Sequence, residues 1–262
     1  MVSCDGWSVF MPALENTTGF IERKTKVSES TSLLARVWSS SLGKKYIMAL
    51  SGVALFGFVV AHMIGNLMVF LGPEGVNAYG HFLQTTPELL WPARIFLLTM
   101  LGLHFVSAAL LTLENRSSRP VSYVEYDVVA SSFAARTMIY SGLIVLFFVL
   151  YHILHFTMQV PGVNLTGQDF HTFKDAKEHH DIYRMIVTGF SHPIVSLAYL
   201  VGVGLLCVHL SHGLSSMFQS LGWRKQYYRG FLDKFAVVAA VVIFLGYASI
   251  PVAVWVGALK MP

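Results

Sequence analysis

Four histidines lie deep inside long apolar stretches. His62 belongs to Tyr46–Leu71, a stretch of 26 residues without a charged side chain, and His104, His152 and His209 each fall within a later apolar stretch. An imidazole in hydrocarbon is unfavourable unless its two ring nitrogens are occupied, by hydrogen bonds or by a metal. One such residue means little. Four of them on four separate stretches point to a shared ligand. His155 and His212 follow His152 and His209 by three residues, on the same broad helical face, and compete for the same role.

Helical rise gives their depths. His62 stands 10 residues before Gly72 and His152 stands 9 before Pro161, so both are roughly 15 Å from one end of their spans at 1.5 Å per residue. His104 and His209 stand 12 and 16 residues after Pro92 and Pro193, roughly 18 and 24 Å deep. The four therefore fall on two levels, His62 with His152 and His104 with His209. Facing histidines from facing helices of a bundle, paired at two heights, are the ligand set of two bis-histidine haems b, one iron per pair. Two imidazoles on one iron leave no open coordination position, which suits electron transfer. Gly52 and Gly142 each precede a histidine by ten residues, in two Ser-Gly steps. They serve either close approach of a porphyrin or ordinary helix packing. His152, His155, His209 and His212 could instead hold a non-haem metal, but no carboxylate accompanies them in the spans.

The elements that must carry these residues are membrane spans. The chain has 262 residues, 55% hydrophobic and 12% charged, against about 25% charged in soluble domains. An apolar helix of about 20 residues crosses a bilayer. The predicted fold is all-α: a polytopic membrane protein of five transmembrane helices, the first four forming a bundle around two stacked haems. Expected spans are Tyr46–Leu71, Ala93–Leu113 opened by Trp91-Pro92, Thr137–Val160, Pro193–Leu221 and Phe235–Leu259. Residues 1–43 form a polar N-terminal segment, with a short interfacial helix over Leu33–Leu42, and residues 44–262 form the haem-binding domain. Glu74, His81, Gln84 and Glu88 fall in a polar loop. The sequence DAKEHHDIYRMI is expected as a helix on the membrane surface. Cys4 and Cys207 are not expected to pair, and no cleaved signal peptide is expected. Thirteen of the 18 Lys and Arg residues flank the side of the N-terminus, which puts the N-terminus in the cytoplasm and the C-terminus outside. The net charge of +4 is a matter of orientation; no nucleic-acid partner is expected.

The segments GKKYIMALSGVALFGFVVAHMIGNL, GLHFVSAALL, YHILHFT and VHLSHGL, in this order, resemble the membrane-anchor cytochrome b subunit of succinate dehydrogenase and fumarate reductase, in its five-helix, two-haem form. The likeness covers about Ser41 to Leu259. It implies that His62 and His152 hold a distal haem and that His104 and His209 hold a proximal one. It also implies a place in complex II, the succinate:quinone oxidoreductase of the tricarboxylic acid cycle. There the anchor would sit in the bacterial inner membrane, with a flavoprotein and an iron–sulfur subunit as partners and with possible higher oligomers of the complex. Menaquinone or another quinone would be the substrate. An outer quinone site could draw on His81, Glu88, Trp91, Arg94 or His155, and an inner one on Trp38, Ser41 or His212. Where some members carry a glutamate two residues before the fourth ligand, this chain has Cys207. A proton route through that acid is not expected here. The alternatives are a dihaem cytochrome b of a hydrogenase or formate dehydrogenase, and a haem-free transporter or structural membrane protein.

Overall fold

The computed structural model describes residues 32–118 and 133–261. Cys4, most of the N-terminal segment and Arg119 lie outside the described residues. Helix α1 (Leu33–Ser39) is short and starts at Ser32, whose hydroxyl accepts from the Ala35 amide at 3.3 Å. Ser32 is a good N-cap because its oxygen meets one of the amides that a helix start leaves without a partner.

Seven further helices follow: α2 (Ser41–Leu67), α3 (Pro73–Thr85), α4 (Pro87–Ser117), α5 (Phe133–His152), α6 (Ile182–Ser191), α7 (Pro193–Ser220) and α8 (Arg229–Trp255). Five of the helices, α2, α4, α5, α7 and α8, are long and apolar enough to cross a membrane. The described residues contain no strand beyond a single bridge between Lys174 and His180. The all-α, five-span reading holds.

Local chemistry sets the boundaries. α2 runs into a 3-10 turn, Met68–Leu71, and stops at Gly72, whose φ of 88° most side chains resist. α4 begins at Pro87, five residues before the expected start, and carries Pro92 inside it. Proline is favoured in the first turn, where an amide would lack a partner anyway; both prolines lie near that end. The correction matters, because His104 is then 17 residues from Pro87, against 16 from Pro193 to His209, and the two come level. α5 passes into a π-turn, Ile153–Thr157, that carries His155.

The two connections on the α3/α6 side differ from expectation. Glu74, His81 and Gln84 lie on helix α3, with Glu88 in the first turn of α4. DAKEHHDIYRMI is helical only from Ile182. Before that, Asp175 accepts from the amides of Lys177 and His179 in a turn, and its carboxylate is held below the ordinary range: desolvation acts upward and is outweighed by those two amides together with the His179 and Lys177 charges. α6 is buried rather than laid on a surface, with Tyr183, Met185, Ile186, Val187 and Phe190 all in the interior. Tyr183, Ile186, Val187 and Phe190 share one face, packed in the core at this end, while Met185 on the opposite face is covered by Phe170 and Phe173. Asn77 of α3 fastens it: its side-chain amide donates to Asp181 (3.0 Å) and its oxygen accepts from the Tyr183 amide (2.9 Å). Val69, Val76, Tyr183, Val187, Phe190, Val195 and Ile250 close into one apolar core at that end.

α8 packs along α7 and reaches α2, where the Tyr247 hydroxyl donates to the Val59 carbonyl at 2.8 Å. Cys207 faces this seam, among Met63, Val203, Ala240 and Ile243. At the far end of α4, Glu114 pairs with the buried Lys44.

Asn77→Ala leaves the buried Tyr183 amide without its acceptor. We expect a loss of about 1–3 kcal/mol, read as a lower midpoint in thermal unfolding of the detergent-solubilised protein. An unchanged midpoint would show that the α3–α6 clasp carries no load.

Candidate functional site

The bundle brings the four span histidines together in two pairs. His62 of α2 faces His152 of α5 with ring centroids 5.7 Å apart and planes crossed at 79°. His104 of α4 faces His209 of α7 at 6.4 Å and 67°. All four are half-buried.

Each ring of the second pair is fixed through Nδ1. The His104 Nδ1 lies 3.0 Å from the Met48 carbonyl, which can only accept, so this nitrogen carries the proton. Ser51 stands 3.4 Å from the same atom and donates its own hydrogen to the Ile47 carbonyl. Ser141 repeats the device on α5: its hydroxyl donates to the Met138 carbonyl, and its oxygen lies 3.2 Å from the His209 Nδ1. Both rings are thus the Nδ1–H form, with the Nε2 lone pair left for a ligand. The glycines complete the cradle. A Cβ on Gly52 would stand 3.3 Å from the His104 ring, and one on Gly142 3.2 Å from the His209 ring. What these glycines admit is the neighbouring helix's imidazole.

The ten-residue Ser-Gly to His interval therefore has a structural meaning. On α2 and on α5 it spans from one histidine level to the other, about 15 Å along the axis. The Gly52–His104 contact between α2 and α4 is matched by the Gly142–His209 contact between α5 and α7, although α5 and α7 pack closely along their length and α2 and α4 do not.

The first pair is held differently. His62 stacks on Phe58 at 5.2 Å and lies near Tyr247 at 6.2 Å. The Tyr199 hydroxyl stands 3.3 Å from His152 Nδ1 and 3.0 Å from His155 Nδ1. His155 is 1% exposed, and its Nε2 has no hydrogen-bond partner among the described residues. His212 meets Ser216 of its own helix at 2.9 Å.

Of the expected quinone residues, Glu88, Trp91 and Arg94 follow one another at three-residue spacing in the first turns of α4. Arg94 lies over the Trp91 ring at 5.3 Å, and both, with Glu88, are exposed. His81 stacks face to face on His179 at 3.6 Å rather than standing alone in solvent. His180 meets Gln159 at 2.9 Å and is shifted below the ordinary imidazole range by burial, against the opposing bond to the Phe173 carbonyl. No hydrogen bond, ion pair or ring contact joins Glu88, Trp91 or Arg94 to His81 or His155 among the described residues. A groove of about 490 Å³ opens between α5 and α7, lined by Ile144, Phe148, Tyr151, Leu197 and Val201, and is almost wholly apolar. Sequence reasoning missed Tyr199 and Tyr247. A signal for Tyr199 existed: it precedes His209 by ten residues, the same interval that separates Gly142 from His152 on the antiparallel partner.

Comparison with protein-family models, with curated proteins and with solved structures finds no match.

Gly52→Leu and Gly142→Leu drive a branched side chain into an imidazole. Overpacking of this kind costs about 1–3 kcal/mol. Gly57→Leu, on the same helix as Gly52 but facing open space, should change stability by less than about 0.5 kcal/mol. Thermal unfolding of the three variants in detergent checks the contrast, and equal behaviour would refute the cradle.

Proposed function

We propose that the chain is a dihaem membrane cytochrome b, the anchor subunit of a succinate:quinone oxidoreductase. The observation that carries this is the double pairing of crossed imidazoles. A metal–imidazole bond is about 2 Å long, so two rings on opposite sides of one iron have centroids roughly 6 Å apart once the rings' own width is added. The two pairs stand at 5.7 and 6.4 Å.

The donor set fits the same group. His104 and His209 present Nε2 because Nδ1 is engaged, the outer-sphere arrangement that metal-bound histidines need. Two buried polar atoms without partners, His155 Nε2 and Ser107 Oγ, each lie three residues beyond a proposed ligand. Lone carboxylates are missing near the pairs among the described residues, which speaks for haem over a bundle diiron centre. On this reading His62 and His152 hold one haem, His104 and His209 the other. Bound haem supplies a one-electron carrier at each level. The chain's part is to fix the rings, to hold each histidine neutral, and to keep water from the pairs with the apolar faces of α2, α5 and α7.

The succinate-oxidising flavoprotein, the iron–sulfur subunit, the quinone and the bacterial inner membrane with a cytoplasmic N-terminus come from the resemblance of the histidine segments. The excess of Lys and Arg in the segments on the N-terminal side of the membrane supports that orientation. Menaquinone or another quinone would be the membrane substrate, and Glu88, Trp91 and Arg94, close together at the start of α4, remain candidates for its site.

Purified, dithionite-reduced protein should show a b-type α-band with two haems per chain. His62→Ala and His152→Ala should each lose one and the same haem, and His104→Ala and His209→Ala the other. Loss of the first haem in His155→Ala with its retention in His152→Ala would overturn the ligand assignment, and a haem-free chain would overturn the reading. Co-purification with a succinate-oxidising flavoprotein separates this reading from that of another respiratory cytochrome b.

A further inference from the structure

We infer that Tyr199 is the positioning residue of the His62–His152 pair: its hydroxyl orients His152 as a ligand and bars His155 from that role. The inference rests on the dihaem reading. A phenol has one hydrogen. Set between two Nδ1 atoms at 3.3 and 3.0 Å, it donates to one and accepts from the other, so the two histidines must be opposite tautomers. The shorter contact is the one to His155, as expected where the O–H is the donor. His155 then accepts at Nδ1 and carries its hydrogen on Nε2. His152 donates from Nδ1 and keeps a lone pair on Nε2.

Only one of the two rings can offer Nε2 to a metal in this state. The facing geometry selects His152, because its ring and not that of His155 meets His62. Packing keeps the phenol in place. Tyr199 is 6% exposed, edge-on to Phe148, Phe156 and Phe190. His155 reaches the same hydroxyl from the π-turn Ile153–Thr157.

A hydrogen bond given by a bound imidazole raises its basicity and favours the oxidised metal. The two pairs use different acceptors, a phenol for His152, a backbone carbonyl for His104 and a serine for His209. Tyr199 therefore acts on one haem and not on the other.

The test is redox titration of each haem in the haem-loaded full chain in detergent. In Tyr199→Phe both haems should remain. The midpoint of the haem that His152→Ala removes should move positive, with the other unmoved. In His155→Phe the same haem should move in the same direction by less, because the phenol becomes a weaker acceptor once its own donation is lost. Two bound haems with unmoved potentials in Tyr199→Phe, or a shift confined to the other haem, overturn the inference alone. Should Tyr199→Phe lose a haem, His155→Phe decides: an unmoved or negative midpoint overturns the inference. Absence of haem from the wild-type chain overturns the dihaem reading and this inference with it.

Discussion

Everything in this bundle depends on one requirement: an imidazole placed in hydrocarbon needs partners for both ring nitrogens. At His104 and His209 the helices meet half of it with a carbonyl and a serine at Nδ1. The other nitrogen is then available toward the ring across the bundle. Serine and glycine side by side suit this position, since one supplies the acceptor and the other removes the side chain that would hold the imidazole off. The apolar length of the spans and the level of the pairs serve all four rings, and the cradles serve His104 and His209.

The two helix pairs, α2 with α4 and α5 with α7, repeat this plan but not in full. Their antiparallel registers match: Gly52 meets His104, and Gly142 meets His209. Counting ten residues along each helix brings His152 to Tyr199, as observed. The same count on α2 and α4 sets Arg94 at the level of His62. A buried phenol at one position and an exposed guanidinium at its counterpart break the symmetry. The packing is uneven too. The α3/α6 end has a closed apolar core latched by Asn77, and α8 stiffens α7 and α2 through Tyr247, so the His62–His152 level is the more enclosed of the two.

Much of this was legible in the chain. Apolar stretches of bilayer length mark the five spans, and the histidine positions mark the pairing, because both depend on helical rise alone. The depth of His104 was understated because Pro92 passes for a helix start when Pro87 is the actual one; either proline fits the first turn. α3 and α6 were misread for a different reason. Polar residues such as Glu74, His81 and Asp181 suggested solvent, while the Asn77 clasp that buries α6 joins residues more than a hundred apart. Tyr199 escaped notice because a tyrosine in an apolar helix is ordinary until its antiparallel partner is known.

The central claim is that each crossed pair of imidazoles closes on one iron. Low-temperature EPR of the oxidised protein tests it most directly. Ligand planes crossed at 79° and 67° leave two of the metal's d orbitals nearly equal in energy, which makes a low-spin ferric signal strongly anisotropic. The account predicts two such signals and no high-spin iron. High-spin signals, or the less anisotropic pattern of parallel imidazoles, would contradict it.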